Sequence, residues 1–213
     1  MIRLAACLAL AAAAPARADG RALFSAHGCS ACHRVGPDGG SSGPDLTLVG
    51  VRRPRAWIDQ WLKSPRAWKP GTSMPEQGLS DADRGALADY LSEQKGQAWN
   101  GTPPWTGYGG LPRGRMIYER AGCVACHGTA GRGGQPDPGA PGGEIPALAP
   151  VVGNYTRAEL IARVSGGVPS EPFHGVMPAV AMPAWKDVLG PGDLDALATY
   201  LLSLDEGQPK PDW

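Results

Sequence analysis

Two identical short patterns constrain this chain more than any other feature: Cys29-Ser30-Ala31-Cys32-His33 and Cys123-Val124-Ala125-Cys126-His127. The chain has five cysteines; four lie in these patterns, and the fifth, Cys7, lies in the leader described below. Cysteines of an exported chain normally pair as disulfides. The C-x-x-C-H spacing reads instead as covalent haem attachment, in which two thiols add across the haem vinyl groups and the adjoining histidine takes the iron. Zinc would need further cysteine or histidine ligands, and only His27 and His174 are to spare. A thioredoxin-like dithiol does not call for the histidine. Cys29, Cys32, Cys123 and Cys126 are therefore the expected attachment residues, His33 and His127 the expected proximal ligands, and two haem c groups the expected cofactors.

The patterns belong to an internal repeat with an offset of 94 residues, Cys29 to Cys123. Short helical patterns precede them, at Gly20 to Ser25 and Gly114 to Glu119, with Leu23/Phe24 and Ile117/Tyr118 as the core face. A Gly/Pro-rich loop and Pro-x-Leu follow each: Pro44-Asp45-Leu46 and Pro146-Ala147-Leu148. Middle helices are expected over 54–63 and 156–165. Each repeat then carries Met-Pro and closes in a helix containing Ala-Leu-Ala-x-Tyr-Leu, at 86–91 and 196–201. Ser80 to Asp83 reads as a capping box with Asp in place of Glu, and Pro191 sits where a helix begins. The Leu and Tyr stripes of these last helices are packing faces.

The first eighteen residues, MIRLAACLALAAAAPARA, read as a secretory signal peptide. Arg3 supplies the basic start, Leu4 to Ala14 the apolar run, and Ala16-Arg17-Ala18 the small-x-small cleavage site. The run is too short to span a bilayer, and it follows Cys7 where a lipoprotein signal would place it before the cysteine. A periplasmic location with no transmembrane segment after Ala18 is the expectation. Without Arg3 and Arg17 the chain has 18 basic and 20 acidic residues, a balance that gives no argument for nucleic acid. Glycine and proline make up 53 of the 213 residues and mark the loops. One such stretch, 98–111, carries three aromatics, Trp99, Trp105 and Tyr108, and reads as a linker packed across a domain surface. The expected organisation is thus 1–18 signal peptide, 19–97 and 112–213 haem domains, and 98–111 a Gly/Pro/Trp-rich linker.

Helix, C-x-x-C-H, Pro-x-Leu, helix, Met-Pro and a Leu/Tyr-rich terminal helix, in that order and twice over, resemble class I c-type cytochromes in tandem. Two such domains look like the dihaem cytochrome c4 group and dihaem cytochrome subunits of periplasmic oxidoreductases. The resemblance implies an all-α fold, one covalently bound haem per domain, and single-electron transfer. It implies that the carbonyls of Pro44 and Pro146 accept a hydrogen bond from the rings of His33 and His127 and so tune the metal. The sixth ligand separates carriers from enzymes, since a filled site blocks substrate and a Met/His pair raises the potential. Met74 is the candidate in the first domain. In the second, Met182 lies 18 residues before Tyr200, close to the 16 that separate Met74 from Tyr90; Met177 and then His174 are the alternatives. Expected partners are redox proteins: a dehydrogenase, a membrane quinol-oxidising complex, or a terminal oxidase or reductase. Two other readings remain open: a dihaem peroxidase or other oxidoreductase with one open iron, and an obligate cytochrome subunit of a larger dehydrogenase or reductase.

One surface feature also stands out. Arg52, Arg53, Arg55, Lys63, Arg66 and Lys69 share a stretch whose one acid is Asp59, while the chain from 101 onward is acidic. This reads as a solvated helix face or as a landing patch for an acidic partner.

Overall fold

Gly20 and Gly114 occupy the same place in the two repeats, and the reason is steric. In the computed structural model, which describes residues 19–137, 141–169 and 181–204, each glycine lies where the first helix of its repeat crosses the last. A Cβ on Gly20 would overlap the Ala86 carbonyl oxygen and come within 2.5 Å of the Tyr90 Cβ. One on Gly114 would overlap the Ala196 carbonyl oxygen and come within 2.8 Å of the Tyr200 Cβ. Helix α1 (Gly20–Ala26) thus runs directly on the backbone of the last helix of its repeat, residues 81–92. Its N-terminus is capped by Asp19, whose carboxylate accepts the Arg21 amide at 2.9 Å.

The first repeat continues through a one-turn 3₁₀ segment at Cys29–Ala31 and a minimal antiparallel pair, β1 (Arg34–Val35) with β2 (Asp38–Gly39). Then come α2 (Val49–Arg52), α3 (Arg55–Lys63), α4 (Pro65–Trp68) and α5 (Asp81–Ser92). Pro54 is the N-cap of α3, so the middle helix starts one residue after the expected proline. Ser80 caps α5 by accepting the Asp83 amide at 3.1 Å. Arg84–Asp59 at 3.1 Å and Arg55–Asp89 at 2.5 Å tie α5 to α3. Phe24, Val49, Ile58, Leu62, Leu87, Ala88 and Leu91 form this repeat's core.

The second repeat follows the same order. It comprises α6 (Gly110–Arg120), α7 (Val124–His127), the pair β3 (Gln135–Pro136) with β4 (Glu144–Ile145), α8 (Ala149–Val152), α9 (Arg157–Gly166) and α10 (Pro191–Ser203). Helix α6 starts four residues ahead of the helical pattern at Gly114. Thr156 and Glu159 form a reciprocal capping box at the start of α9. Arg113–Asp193 at 2.6 Å ties α6 to α10, and Arg157–Asp195 at 2.8 Å ties α9 to α10. The helix crossings carry matching aromatic pairs, Phe24–Tyr90 at 5.9 Å and Tyr118–Tyr200 at 5.2 Å. The fold is all-α; the two-residue ladders are confined to the loops after each Cys-x-x-Cys-His. Among the described residues no helix is long and apolar enough to cross a membrane.

The segment between the repeats is packed. Trp105 is 1% exposed and meets Trp99 edge-on at 4.9 Å. Both belong to the core of the second repeat, together with Leu48 of the first. Apolar packing is therefore continuous across the join.

Candidate haem sites

In each repeat the Cys-x-x-Cys-His pattern forms a single tight turn. The amides of Cys32 and His33 both donate to the Cys29 carbonyl, at 3.2 and 2.9 Å. Those of Cys126 and His127 donate to the Cys123 carbonyl at 3.1 and 2.9 Å. One turn thereby holds two thiols and an imidazole together. No disulfide joins the four cysteines, so each sulfur is available for attachment. Before attachment, burial pushes the Cys123 thiol up to about 12 and also raises that of Cys29.

In the first repeat the His33 ring is oriented by its neighbours. Its Nδ1 lies 2.9 Å from the Pro44 carbonyl oxygen. A carbonyl can only accept, so Nδ1 carries the proton and Nε2 keeps its lone pair for a metal. Gly43 makes this approach possible, since a Cβ there would come within 2.5 Å of the ring Cε1 and 2.7 Å of Nδ1. Met74 is half-buried against the first core. Its sulfur accepts the Trp61 indole N–H at 3.0 Å, and its amide donates to the Thr72 hydroxyl at 3.2 Å. A thioether has two lone pairs, so the second is available to iron.

In the second repeat one expectation fails. The His127 Nδ1 is buried and has no hydrogen-bond partner, so the Pro146 carbonyl does not accept from it. The longer loop explains this. The His127 carbonyl is taken by the Gly133 amide at 2.8 Å, and Leu148 returns to the Gly131 carbonyl at 2.7 Å. Pro146 passes instead over Gly133, where a Cβ would meet the Pro146 carbonyl carbon at 2.5 Å. The Tyr118 hydroxyl steadies the loop by donating to the Gly128 carbonyl at 2.6 Å and accepting the Gly131 amide at 3.1 Å. Burial lowers the His127 pKa and keeps the ring neutral, the form a metal takes. Met182 is half-buried on the second core, and its carbonyl accepts the Val168 amide at 2.8 Å. His174 and Met177 lie outside the described residues.

The basic stretch 52–69 is not one surface. Arg52 is 8% exposed; its Nη2 donates to the Asp45 carbonyl at 2.8 Å and its Nη1 to the Gly122 carbonyl at 3.3 Å. Arg53 sits 4.4 Å over the Trp57 ring and donates to the Cys126 sulfur at 3.2 Å. Trp57 in turn stacks on Trp61 at 5.2 Å. In the opposite direction, Arg120 reaches Asp45 at 2.6 Å and the Gly36 carbonyl at 3.3 Å. Arg55 is engaged by Asp89. Nothing in the sequence pattern marked Arg52, Arg53, Asp45 and Arg120 as residues of a join between the repeats. Only the pairing of Asp45 with the Pro-x-Leu motif placed it near a site.

The donor set suits a haem. Besides His127 Nδ1, the buried Arg52 Nε, Arg53 Nη1 and Trp57 Nε1 lack an acceptor in the structure, and buried donors of this kind are rarely left so. The Cys123–His127 turn lies against this cluster, through Gly122 and the Cys126 sulfur. The cytochrome c family model matches residues 17–95 and 111–205.

The chain belongs to the cytochrome c family.

As a cytochrome c with two matched segments it carries two covalently attached haem c groups and serves electron transfer. Its similarity extends to named proteins. It is 29% identical to the cbb3-type cytochrome c oxidase subunit FixP of Bradyrhizobium sp. (strain ORS 278), over 91% of this chain and 62% of that one. The FixP of Azorhizobium caulinodans is 28% identical over 91% of this chain and 61% of its own length. Cytochrome c oxidase subunit 2 of Alkalihalophilus pseudofirmus is 33% identical over 36% of this chain and 25% of its own. The chain thus spans about three-fifths of the length of the FixP relatives. No solved structure matches it.

Proposed function

We propose that the chain is an exported dihaem carrier that passes single electrons between redox proteins, with His33/Met74 on one iron and His127/Met182 on the other. The supporting observation is the Met74 thioether, half-buried on its core and oriented by the Trp61 N–H at 3.0 Å. When bound, the haem supplies a one-electron ferrous–ferric couple. The protein's part is to hold its ligands still. The Pro44 carbonyl fixes the tautomer and angle of His33, and burial keeps His127 neutral. Trp61 draws electron density from the Met74 sulfur, which favours the reduced state. Packing of Met74 and Met182 on the two cores keeps coordination unchanged as electrons come and go.

Location in the periplasm rests on the leader pattern, and the named relatives suggest that the acceptor is a terminal oxidase. Because those relatives are oxidase subunits, the chain works as the cytochrome subunit of such a complex or as its soluble donor. Purification in mild detergent from the native membrane separates the two, since a subunit travels with oxidase activity.

The ligand assignment is tested by the weak far-red charge-transfer band of ferric Met-ligated haem. Met74→Ala and Met182→Ala should each remove about half its intensity, and the double variant all of it. A full band in Met182→Ala would shift the assignment to Met177 or His174. Carbon monoxide should bind neither ferrous haem promptly in the wild type. Rapid binding at one haem would replace the carrier with a peroxidase-type or other enzyme having an open iron.

A further inference from the structure

Arg53 is the C-cap of α2 in the first repeat, yet its guanidinium reaches the attachment turn of the second. Nη2 lies 3.2 Å from the Cys126 sulfur, the atom that becomes the thioether bridge once haem is attached. The contact is held from three sides. The Trp57 ring lies beneath the guanidinium at 4.4 Å. The neighbouring Arg52 anchors the same turn through the Gly122 carbonyl, where Gly122 has φ +90° and a Cβ would come within 2.5 Å of the Arg52 Cζ. Asp137 acts on Arg53 electrostatically and balances part of its charge. The first haem turn has no counterpart: among the described residues no side chain donates to the Cys29 or Cys32 sulfur, and Cys32 is exposed.

We propose that Arg53 raises the reduction potential of the second haem above the value its own domain would set, and so orders the two haems along the electron path. Reduction adds one electron from a donor protein, and no bond forms or breaks. A fixed cation favours the state that holds the extra electron, and it does so more strongly where water is excluded. A hydrogen bond to the bridging sulfur acts in the same sense by drawing density from the macrocycle. Arginine suits this position because it stays charged when buried and its plane stacks on an aromatic ring. The first half of the chain thereby becomes an electrostatic part of the second half's redox centre. The inference rests on the proposed attachment of the second haem at Cys123, Cys126 and His127.

The test is a spectroelectrochemical titration of the whole dihaem protein. Each wave is assigned to its attachment turn from the paramagnetically shifted haem signals in the NMR spectrum. Arg53→Gln keeps a donor and removes the charge. It should weaken reduction of the second haem at least tenfold, a fall of 59 mV for a one-electron couple. The first haem should move by less than half as much. Arg53→Lys keeps the charge and should retain more than half of the difference. An unchanged second wave in Arg53→Gln overturns the inference, and so does an equal fall of both waves, which would indicate general surface charge. An equal fall in the Gln and Lys variants, accompanied by an altered ferric spectrum, also overturns it, because the turn has then moved. Failure of the attachment reading looks different: the pyridine haemochrome assay would return fewer than two haems per chain.

Discussion

Gly114→Ala is expected to cost about 3 kcal/mol of stability, the upper end of the range for overpacking, because the added methyl meets backbone and not a side chain that can swing away. Alanine is intrinsically the better helix former by about 1 kcal/mol, and in an open helix that preference decides the sign. At Gly114 a Cβ would overlap the Ala196 carbonyl oxygen and lie 2.7 Å from its carbon and 2.8 Å from the Tyr200 Cβ. Relief requires α6 to move away from α10, and the Tyr118–Tyr200 pair and the Arg113–Asp193 bridge must loosen with it. Tyr118 also holds the loop after His127, so the shift reaches the second haem turn. Guanidinium unfolding of the haem-loaded protein, followed by the visible band, measures the loss. Gly85→Ala is the control. It lies mid-helix in α5 with only the Arg55 Nη2 near its added Cβ, at 3.5 Å, and should be stabilising by about 0.5 kcal/mol. If both variants move the midpoint in the same direction and by the same amount, the close crossing is not what selects glycine at 114.

Asp45→Ala is expected to cost about 3 kcal/mol by a different route. One carboxylate oxygen accepts from the Thr47 amide at 2.8 Å and the Thr47 hydroxyl at 2.6 Å, while the other accepts Arg120 Nε at 2.6 Å. Thr47 is fully buried, so its amide loses its only acceptor among the described residues when the side chain is cut back. A buried donor left unsatisfied costs about 1–3 kcal/mol. Breaking a buried ion pair costs about 3–5 kcal/mol, and the 21% exposure of the Arg120 side chain reduces that share here. Asp45→Asn keeps an acceptor for Thr47 and loses the charge, so it should recover about half. Equal losses in the two variants would mean that Arg120 contributes everything and the Thr47 bonds nothing.

What could be read from the chain alone follows from what spacing encodes. The Cys-x-x-Cys-His turns are local, closed by bonds within one turn, and their chemistry was legible. The repeat was legible as well, because Gly20 and Gly114, and Phe24 and Tyr118, stand 94 residues apart at one kind of helix crossing, which Tyr90 and Tyr200 of the last helices complete. The proline partner of the histidine was legible where the loop is short. Pro44 follows His33 by eleven residues and makes the bond, whereas Pro146 follows His127 by nineteen and a glycine-rich detour carries it elsewhere. Arg52 and Arg53 were misread for a physical reason. A run of cations in sequence looks the same on a solvated helix and inside a seam, since burial depends on what another part of the chain brings to it. Arg52 and Arg53 meet Gly122 and Cys126, some seventy residues on.

The repeat gives this protein two similar halves, yet the buried pairings across the join make them unequal. The second half lends Arg120 to the loop beside Pro44, and the first lends Arg52 and Arg53 to the turn beside Cys126. Grafting either half onto another cytochrome would strand a buried carboxylate at Asp45 or leave the turn at Gly122 without its clamp. Substitutions at Asp45, Arg52, Arg53, Arg120, Gly122 and Cys126 are therefore bound to one another across the repeat boundary. A working chimera would have to exchange the seam as a set.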